Sequence, residues 1–126
     1  MPSKFIDLLI IAGGKGTRIS KHFPNTPKAL LKVNKKTLLE NSINTIPHRN
    51  LYLSLGHMSQ EIVSFMKDGD IEFKENTETK SLGSFGGLKD TVLRFYESLS
   101  DRIIIILGDL YICNVAYNIE KNFSDS

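Results

Sequence analysis

The chain has 126 residues, of which 40% are hydrophobic and 24% are charged, so it can bury one hydrophobic core. Sixteen Lys and Arg residues against fourteen Asp and Glu leave a net charge of +2, which argues against a nucleic-acid-binding surface. A single cysteine, Cys113, excludes an intrachain disulfide and favours a reducing compartment, so we expect a cytoplasmic protein. The apolar runs are too short to span a membrane. These limits predict one domain over residues 1–126.

Short apolar runs alternate with segments of helical periodicity along the chain. The predicted order is strand Phe5–Ala12, helix Thr37–Ile46, strand Asn50–Leu55, helix Ser59–Met66, strand Ile71–Lys74, helix Leu88–Leu99 and strand Arg102–Leu107. We expect the first strand to be central and the third to lie towards an edge. Ser59 and Ser84 are predicted N-caps. The third helix is expected to pack through Leu88, Val92, Leu93, Tyr96 and Leu99. The alternation predicts an α/β fold, a three-layer Rossmann-like sandwich with a mostly parallel central sheet.

A glycine-rich segment, Ala12-Gly13-Gly14-Lys15-Gly16-Thr17-Arg18, follows the first strand directly. In open α/β sheets ligands bind beyond the carboxyl ends of the strands, and small residues let backbone N–H groups approach anionic oxygens. The segment therefore predicts a phosphate site, although a plain tight turn is the alternative. It is not a Walker loop, because Gly-Lys-Ser/Thr is absent, and it departs from the dinucleotide-binding fingerprint at Ile19.

Three further segments follow in order: Pro27-Lys28-Ala29-Leu30, Leu82-Gly83-Ser84-Phe85-Gly86-Gly87 and Leu107-Gly108-Asp109. Together with the glycine-rich segment they resemble the N-terminal nucleotide-binding portion of the sugar-phosphate nucleotidyltransferases. The resemblance spans nearly the whole chain. It implies transfer of a nucleoside monophosphate from a nucleoside triphosphate to a sugar 1-phosphate, with release of pyrophosphate; a phosphorylated alcohol such as phosphocholine is the alternative acceptor.

The resemblance also implies roles for individual residues. Arg18 and Lys28 would be catalytic, Arg18 gripping the β- and γ-phosphates and Lys28 approaching the reacting phosphates. Asp109 would hold Mg²⁺, the expected cofactor. Outside the motifs, Lys28 would be a solvated loop lysine and Asp109 a cap. The implied nucleotide-binding residues are Ala12, Gly13, Gly14, Gly16, Thr17 and Gly83.

The partners and the extent of the domain are predicted from the same resemblance. GTP is the first candidate triphosphate, because Leu82–Gly87 resembles the branch that activates heptose or mannose phosphates. Chains of the family continue well beyond the Gly-Asp strand, so we expect a truncated domain with a nucleotide half-site, completed in a homo-oligomer or by a partner chain. Two alternatives stay open. One is a catalytically incompetent nucleotide-binding or regulatory domain of the same fold. The other is a nicotinamide-binding oxidoreductase, against which the mismatch at Ile19 counts.

Overall fold

A computed structural model of the chain describes residues 6–12, 26–56, 58–77 and 83–108. The strands are β1 (Ile6–Ala12), β2 (Lys32–Val33), β3 (Lys36–Thr37), β4 (Leu51–Leu55), β5 (Lys74–Thr77) and β6 (Arg102–Leu107). The helices are α1 (Leu38–Thr45), α2 (Ser59–Asp68) and α3 (Gly83–Phe95), with a 3-10 helix at Lys28–Leu30. In these ranges no helix is long and apolar enough to cross a bilayer.

The centre of the fold is a four-stranded sheet with the order β5-β4-β1-β6. Each neighbouring pair in this sheet is parallel. Leu9 of β1 lies opposite Tyr52 of β4 on one side and Ile105 of β6 on the other. The prediction that the first strand is central and buried is therefore confirmed.

Alternate side chains of the sheet face two different helix layers, because successive side chains of a strand point to opposite faces. One face packs against α1 and α2 in a continuous apolar cluster. Its buried members include Leu8, Ile10, Leu39, Ile46, Leu51, Leu53, Leu55, Ile62 and Met66. On the other face Tyr52 packs against Phe95 of α3, with ring centroids 5.1 Å apart. Helices thus cover both faces, which confirms the predicted three-layer α/β sandwich with a parallel sheet.

Several predicted boundaries are wrong, among them those of the third helix, since α3 covers Gly83–Phe95 rather than Leu88–Leu99. The third strand of the central sheet, β5, covers Lys74–Thr77 rather than Ile71–Lys74. Ile71 and Phe73 pack against the core just before the strand begins, so their apolar character shifted the prediction towards the amino end. The predicted N-caps lie inside helices: Met58 precedes α2 with a φ of 58°, and α3 begins at Gly83, before Ser84.

The buried face of α3 also differs from the prediction. Leu93 and Tyr96 are 65% and 72% exposed, whereas Thr91 is completely buried. Gly87 is buried as well, so small and polar residues form much of the side that contacts the sheet, together with Phe95 at the carboxyl end of the helix. A search for apolar periodicity does not identify Gly87 and Thr91, because neither side chain is strongly apolar.

Asp7 joins three segments at the amino edge of the sheet. Its fully buried carboxylate accepts hydrogen bonds from the backbone N–H groups of Asn50 and Ser100, at 3.2 and 2.7 Å. It also accepts two hydrogen bonds from the guanidinium of Arg49, at 3.0 and 2.9 Å. The hydrogen bond and the charge of Asp7 raise the pKa of Arg49. One carboxylate therefore connects β1 to the segments that lead into β4 and β6.

Candidate functional site at the carboxyl edge

The predicted site residues divide between described and undescribed parts of the chain. Ala12, Lys28 and Gly83 belong to the described ranges. The remaining predicted site residues lie outside them: Gly13, Gly14, Gly16, Thr17, Arg18 and Asp109. The geometry of the site is therefore derived from the strands, the 3-10 helix and the helix start that carry or precede these residues.

The carboxyl ends of β1 and β6 meet in a close backbone contact. The N–H of Gly108 donates a hydrogen bond of 2.8 Å to the carbonyl oxygen of Ile11. A Cβ at position 108 would lie 3.3 Å from the Cβ of Ala12, from Cγ2 of Ile10 and from the Ile11 oxygen. Small residues at 12 and 108 therefore allow the two strand ends to approach. In sequence, Gly13 follows Ala12 and Asp109 follows Gly108, so both predicted phosphate and metal segments leave from this junction.

We expect Gly108→Ala to lower the free energy of unfolding by about 1–3 kcal/mol, the usual cost of forcing a methyl group into a packed position. Two of its three contacts would be with β1 atoms that cannot move unless the strand moves. Gly69→Ala is the matched control, because a Cβ there finds only ordinary contacts of 3.4 Å or more. Urea unfolding measures both variants. Equal stability of the two would contradict the proposed close approach.

Lys28 lies on the 3-10 helix between two buried neighbours, Pro27 and Ala29. Ala29 belongs to the apolar cluster, and the N–H of Leu30 donates to the carbonyl oxygen of Pro27 at 3.0 Å. The Lys28 side chain itself is only partly buried. The backbone of a charged residue is thus held by its neighbours while the side chain keeps access to solvent.

The hairpin of β2 and β3 connects the 3-10 helix to the start of α1. Asn34 and Lys35 turn the chain with φ values of 54° and 71°, the conformation of a two-residue hairpin turn. Thr37 then begins α1 with a capping box, in which its hydroxyl accepts from the N–H of Glu40 at 3.0 Å. Since α1 leads down to the amino end of β4, its start and the 3-10 helix lie towards the carboxyl edge. Lys28 is therefore placed on the side where the predicted phosphate segment begins.

Gly83 is the first residue of α3, and this start also lies towards the carboxyl edge. Thr91 lies beside Asn76 of β5, with 3.3 Å between their side chains, close to the end of the strand. Eight residues of helix separate Gly83 from Thr91, which corresponds to about 12 Å along the axis. The first turn of α3 therefore extends beyond the strand end, where its unpaired N–H groups and helix dipole favour an anion.

One further concave surface among the described residues lies away from the carboxyl edge. A depression of about 920 Å³, lined by residues 43–51 and 71–74, lies at the amino ends of β4 and β5. Arg49, which contributes to its lining, is already paired with Asp7. In the described ranges no group of three or more His, Cys, Asp or Glu residues could hold a metal ion. We therefore assign no chemistry to the amino edge.

Sequence reasoning missed Asn76 and the function of Asp7 as a junction. Asn76 is only 5% exposed although its side chain is polar, and its amide contacts three residues of α3. The sequence gives little signal for Asn76, because it stands two residues beyond the predicted strand Ile71–Lys74 in a polar stretch. For Asp7 a signal exists, since an acidic residue interrupts an apolar strand.

The chain is similar in sequence to several known proteins. It is 31% identical over 115 residues to the bifunctional protein GlmU of Buchnera aphidicola, covering 87% of this chain and 23% of that protein. It is 27% identical over 119 residues to the UTP–glucose-1-phosphate uridylyltransferase of Synechocystis, covering 82% of this chain and 30% of that one. The chain thus spans less than a third of the length of these relatives.

Solved structures share the fold over most of this chain. HddC from Yersinia pseudotuberculosis, in complex with GMP-PN, matches with a TM-score of 0.71 and 25% identity over 94% of this chain and 53% of its own. Rv0371c from Mycobacterium tuberculosis, in complex with manganese, matches with a TM-score of 0.62 and 22% identity over 97% and 59%. The sequence model of one protein family, the MobA-like NTP transferase domain, matches residues 8–117 of this chain. The chain therefore belongs to the family of MobA-like NTP transferase domains.

Proposed function

We propose that this chain binds a nucleoside triphosphate at the carboxyl edge of its sheet and transfers the nucleoside monophosphate to a sugar 1-phosphate. The observation that carries the proposal is the contact between Gly108 and Ile11, since it brings the ends of β1 and β6 together. The predicted phosphate segment and the predicted metal ligand Asp109 leave from these two ends. Lys28 and the first turn of α3 lie towards the same edge.

The proposed reaction forms one bond to the α-phosphorus and breaks another. A phosphate oxygen of the acceptor attacks the α-phosphorus, and the bond from that phosphorus to the oxygen bridging to the β-phosphate breaks. Pyrophosphate leaves with the electron pair. The protein must hold two polyanions in line and stabilise the negative charge that develops on the leaving group. Lys28 would supply a point charge near the reacting phosphates, and Arg18 a bidentate contact with the departing pyrophosphate.

A divalent cation would neutralise part of the phosphate charge when it is bound. We propose Mg²⁺, held by Asp109, because carboxylate oxygens are the protein ligands that this ion prefers. The complex of Rv0371c with manganese supports a divalent metal in a protein of this fold. Asp109 itself lies outside the described residues.

The nucleotide needs a direct test, because the names of the relatives give different bases. The Synechocystis relative is named for UTP and glucose 1-phosphate, whereas the HddC structure holds GMP-PN. We propose GTP as the first candidate and a sugar 1-phosphate as the acceptor. The cytoplasmic location and the single domain over residues 1–126 also stay predictions.

We propose that self-association completes the site at the carboxyl edge. In the described sheet β6 has β1 as its one neighbour, and Ile105 and Leu107 are 46% and 45% exposed. An open strand edge with exposed apolar side chains favours pairing with another chain. A homo-oligomer or a completing partner chain would cover this surface.

The test is pyrophosphate release by the purified chain with Mg²⁺, each of the four common triphosphates and a panel of sugar 1-phosphates. Asp109→Ala and omission of the metal are the controls. We expect release that depends on acceptor, on metal and on Asp109. Triphosphate binding in calorimetry without release would favour the catalytically incompetent domain, and absence of both would refute the proposal. NAD binding without triphosphate binding would instead favour the oxidoreductase alternative.

A further inference from the structure

The side chain of Asn76 uses its donors and its acceptor on a single helix. Its amide nitrogen donates to a carboxylate oxygen of Asp90 at 2.8 Å and to the hydroxyl of Thr91 at 3.3 Å. Its amide oxygen accepts from the guanidinium of Arg94 at 3.1 Å. The three partners span one turn of α3. One strand residue that is 5% exposed therefore contacts the helix at three points.

These contacts determine where α3 lies along its own axis. An amide group is planar, and its donor and acceptor directions are fixed relative to each other. A shift of the helix by one residue would separate the Asn76 amide from these partners and leave its buried polar atoms unpaired, which is costly. Close to Asn76 the interface adds little restraint of this kind, because Gly87 and Thr91 are small and leave few large side chains to interlock there. The Thr91 hydroxyl donates its own proton to the Gly87 carbonyl oxygen within the helix, at 2.8 Å, which leaves the hydroxyl oxygen as the acceptor for Asn76.

The position of α3 decides where its first turn lies relative to the strand ends. Gly83 lies about 12 Å from Thr91 along the helix axis, on the carboxyl side. We propose that Asn76 is a positioning residue, which fixes the first turn of α3 at the carboxyl edge and thereby sets the affinity for the triphosphate. This inference rests on the proposed function, because it assumes that the triphosphate contacts the start of α3.

The opposite end of α3 offers a matched control. The hydroxyl of Tyr52 hydrogen-bonds to the carbonyl oxygen and the hydroxyl of Ser98, at 3.3 and 3.1 Å, just after the helix. Tyr52→Phe removes these bonds at the amino edge and keeps the ring contact with Phe95. It should weaken the attachment of the same helix without moving its first turn.

The experiment compares Asn76→Asp, the double variant Asn76→Asp with Asp90→Asn, and Tyr52→Phe. The first substitution places two carboxylates together, and the double variant restores a donor and an acceptor across the same pair. Calorimetry measures the Kd for the preferred triphosphate, thermal unfolding measures Tm, and hydrogen exchange of the ligand-free protein follows the amides of residues 83–87.

We expect Asn76→Asp to raise the Kd about tenfold, the lower end of what loss of an outer-shell contact costs at metal sites. We also expect faster exchange at residues 83–87, and the double variant should restore most of both. Tyr52→Phe should lower Tm with the Kd and this exchange unchanged. If Asn76→Asp changes Tm alone, Asn76 is merely structural and the inference is wrong. If the wild-type chain binds none of the triphosphates, the proposed function and the affinity claim fail together. The exchange data still decide whether Asn76 fixes the first turn.

Discussion

Lys28→Ala is expected to lower kcat/KM for nucleotidyl transfer on the order of 100-fold, the usual effect of removing a charge that stabilises a transition state. Buried Pro27 and Ala29 fix the backbone of Lys28, so its side chain starts from a defined position in the fold. Because the charge acts on the reacting phosphates, we expect most of the loss in kcat. Steady-state pyrophosphate release measures the effect, and thermal unfolding checks that the fold is kept.

Lys32→Ala is the matched control for this prediction. Lys32 is an exposed lysine on β2, four residues further along the chain, and its removal changes the net charge equally. The kcat/KM of the Lys32→Ala variant should stay within about twofold of the wild type, as expected for a charge screened by solvent. An equal loss in the two variants would show that only the overall charge matters, and Lys28 would then lose its proposed role.

Asp7→Ala is expected to lower the free energy of unfolding by about 3 kcal/mol, since two backbone N–H groups lose their acceptor at roughly 1–3 kcal/mol each. These are the N–H groups of Asn50 and Ser100, which lead into β4 and β6. The estimate leaves out Arg49, whose side chain is 41% exposed and can turn to water. Urea unfolding with an unchanged m-value measures the difference.

Asp101→Ala tests whether the carboxylate of Asp7 acts through its buried contacts. Asp101 is exposed and lies in the loop that follows Ser100, so its removal should change stability by less than about 0.5 kcal/mol. Asp7→Asn keeps one acceptor oxygen, so its loss of unfolding free energy should lie between those of Asp7→Ala and Asp101→Ala. A destabilisation by Asp101→Ala as large as that by Asp7→Ala would mean that loop charge, and not the hydrogen-bonded junction, is responsible.

Most of the layer arrangement could be predicted from the sequence, because apolar runs and apolar helix faces reflect burial directly. Strands β1, β4 and β6 agree with their predicted bounds to within one residue. The prediction was wrong for β5 and for the buried face of α3. In both, polar residues do the packing: Asn76 in the strand and Thr91 in the helix are buried through hydrogen bonds that depend on tertiary contacts. A single sequence carries no periodic signal for such contacts.

The candidate site could be predicted as a set of segments but not as a geometry. The order of the motifs indicated the carboxyl edge, and the contact of Gly108 with Ile11 agrees with that placement. The roles of Arg18, Lys28, Asp109 and the glycine segment stay predictions. The reason that position 108 needs a small residue became visible only in the structure, because it depends on Ala12, almost a hundred residues away.

The two faces of the sheet hold their helices through different kinds of contact, so the helices should separate from the sheet at different free-energy costs. The α1 and α2 side is closed by a continuous apolar cluster, whereas α3 is attached through Asn76, Tyr52 and few large apolar contacts. Free energies of local opening follow the amount of buried apolar contact. Within the described residues, α3 should therefore separate from the sheet at a lower cost than α1 or α2. The helix that faces the proposed ligand is thus also the cooperative unit that opens most easily, and a bound triphosphate would close it by mass action.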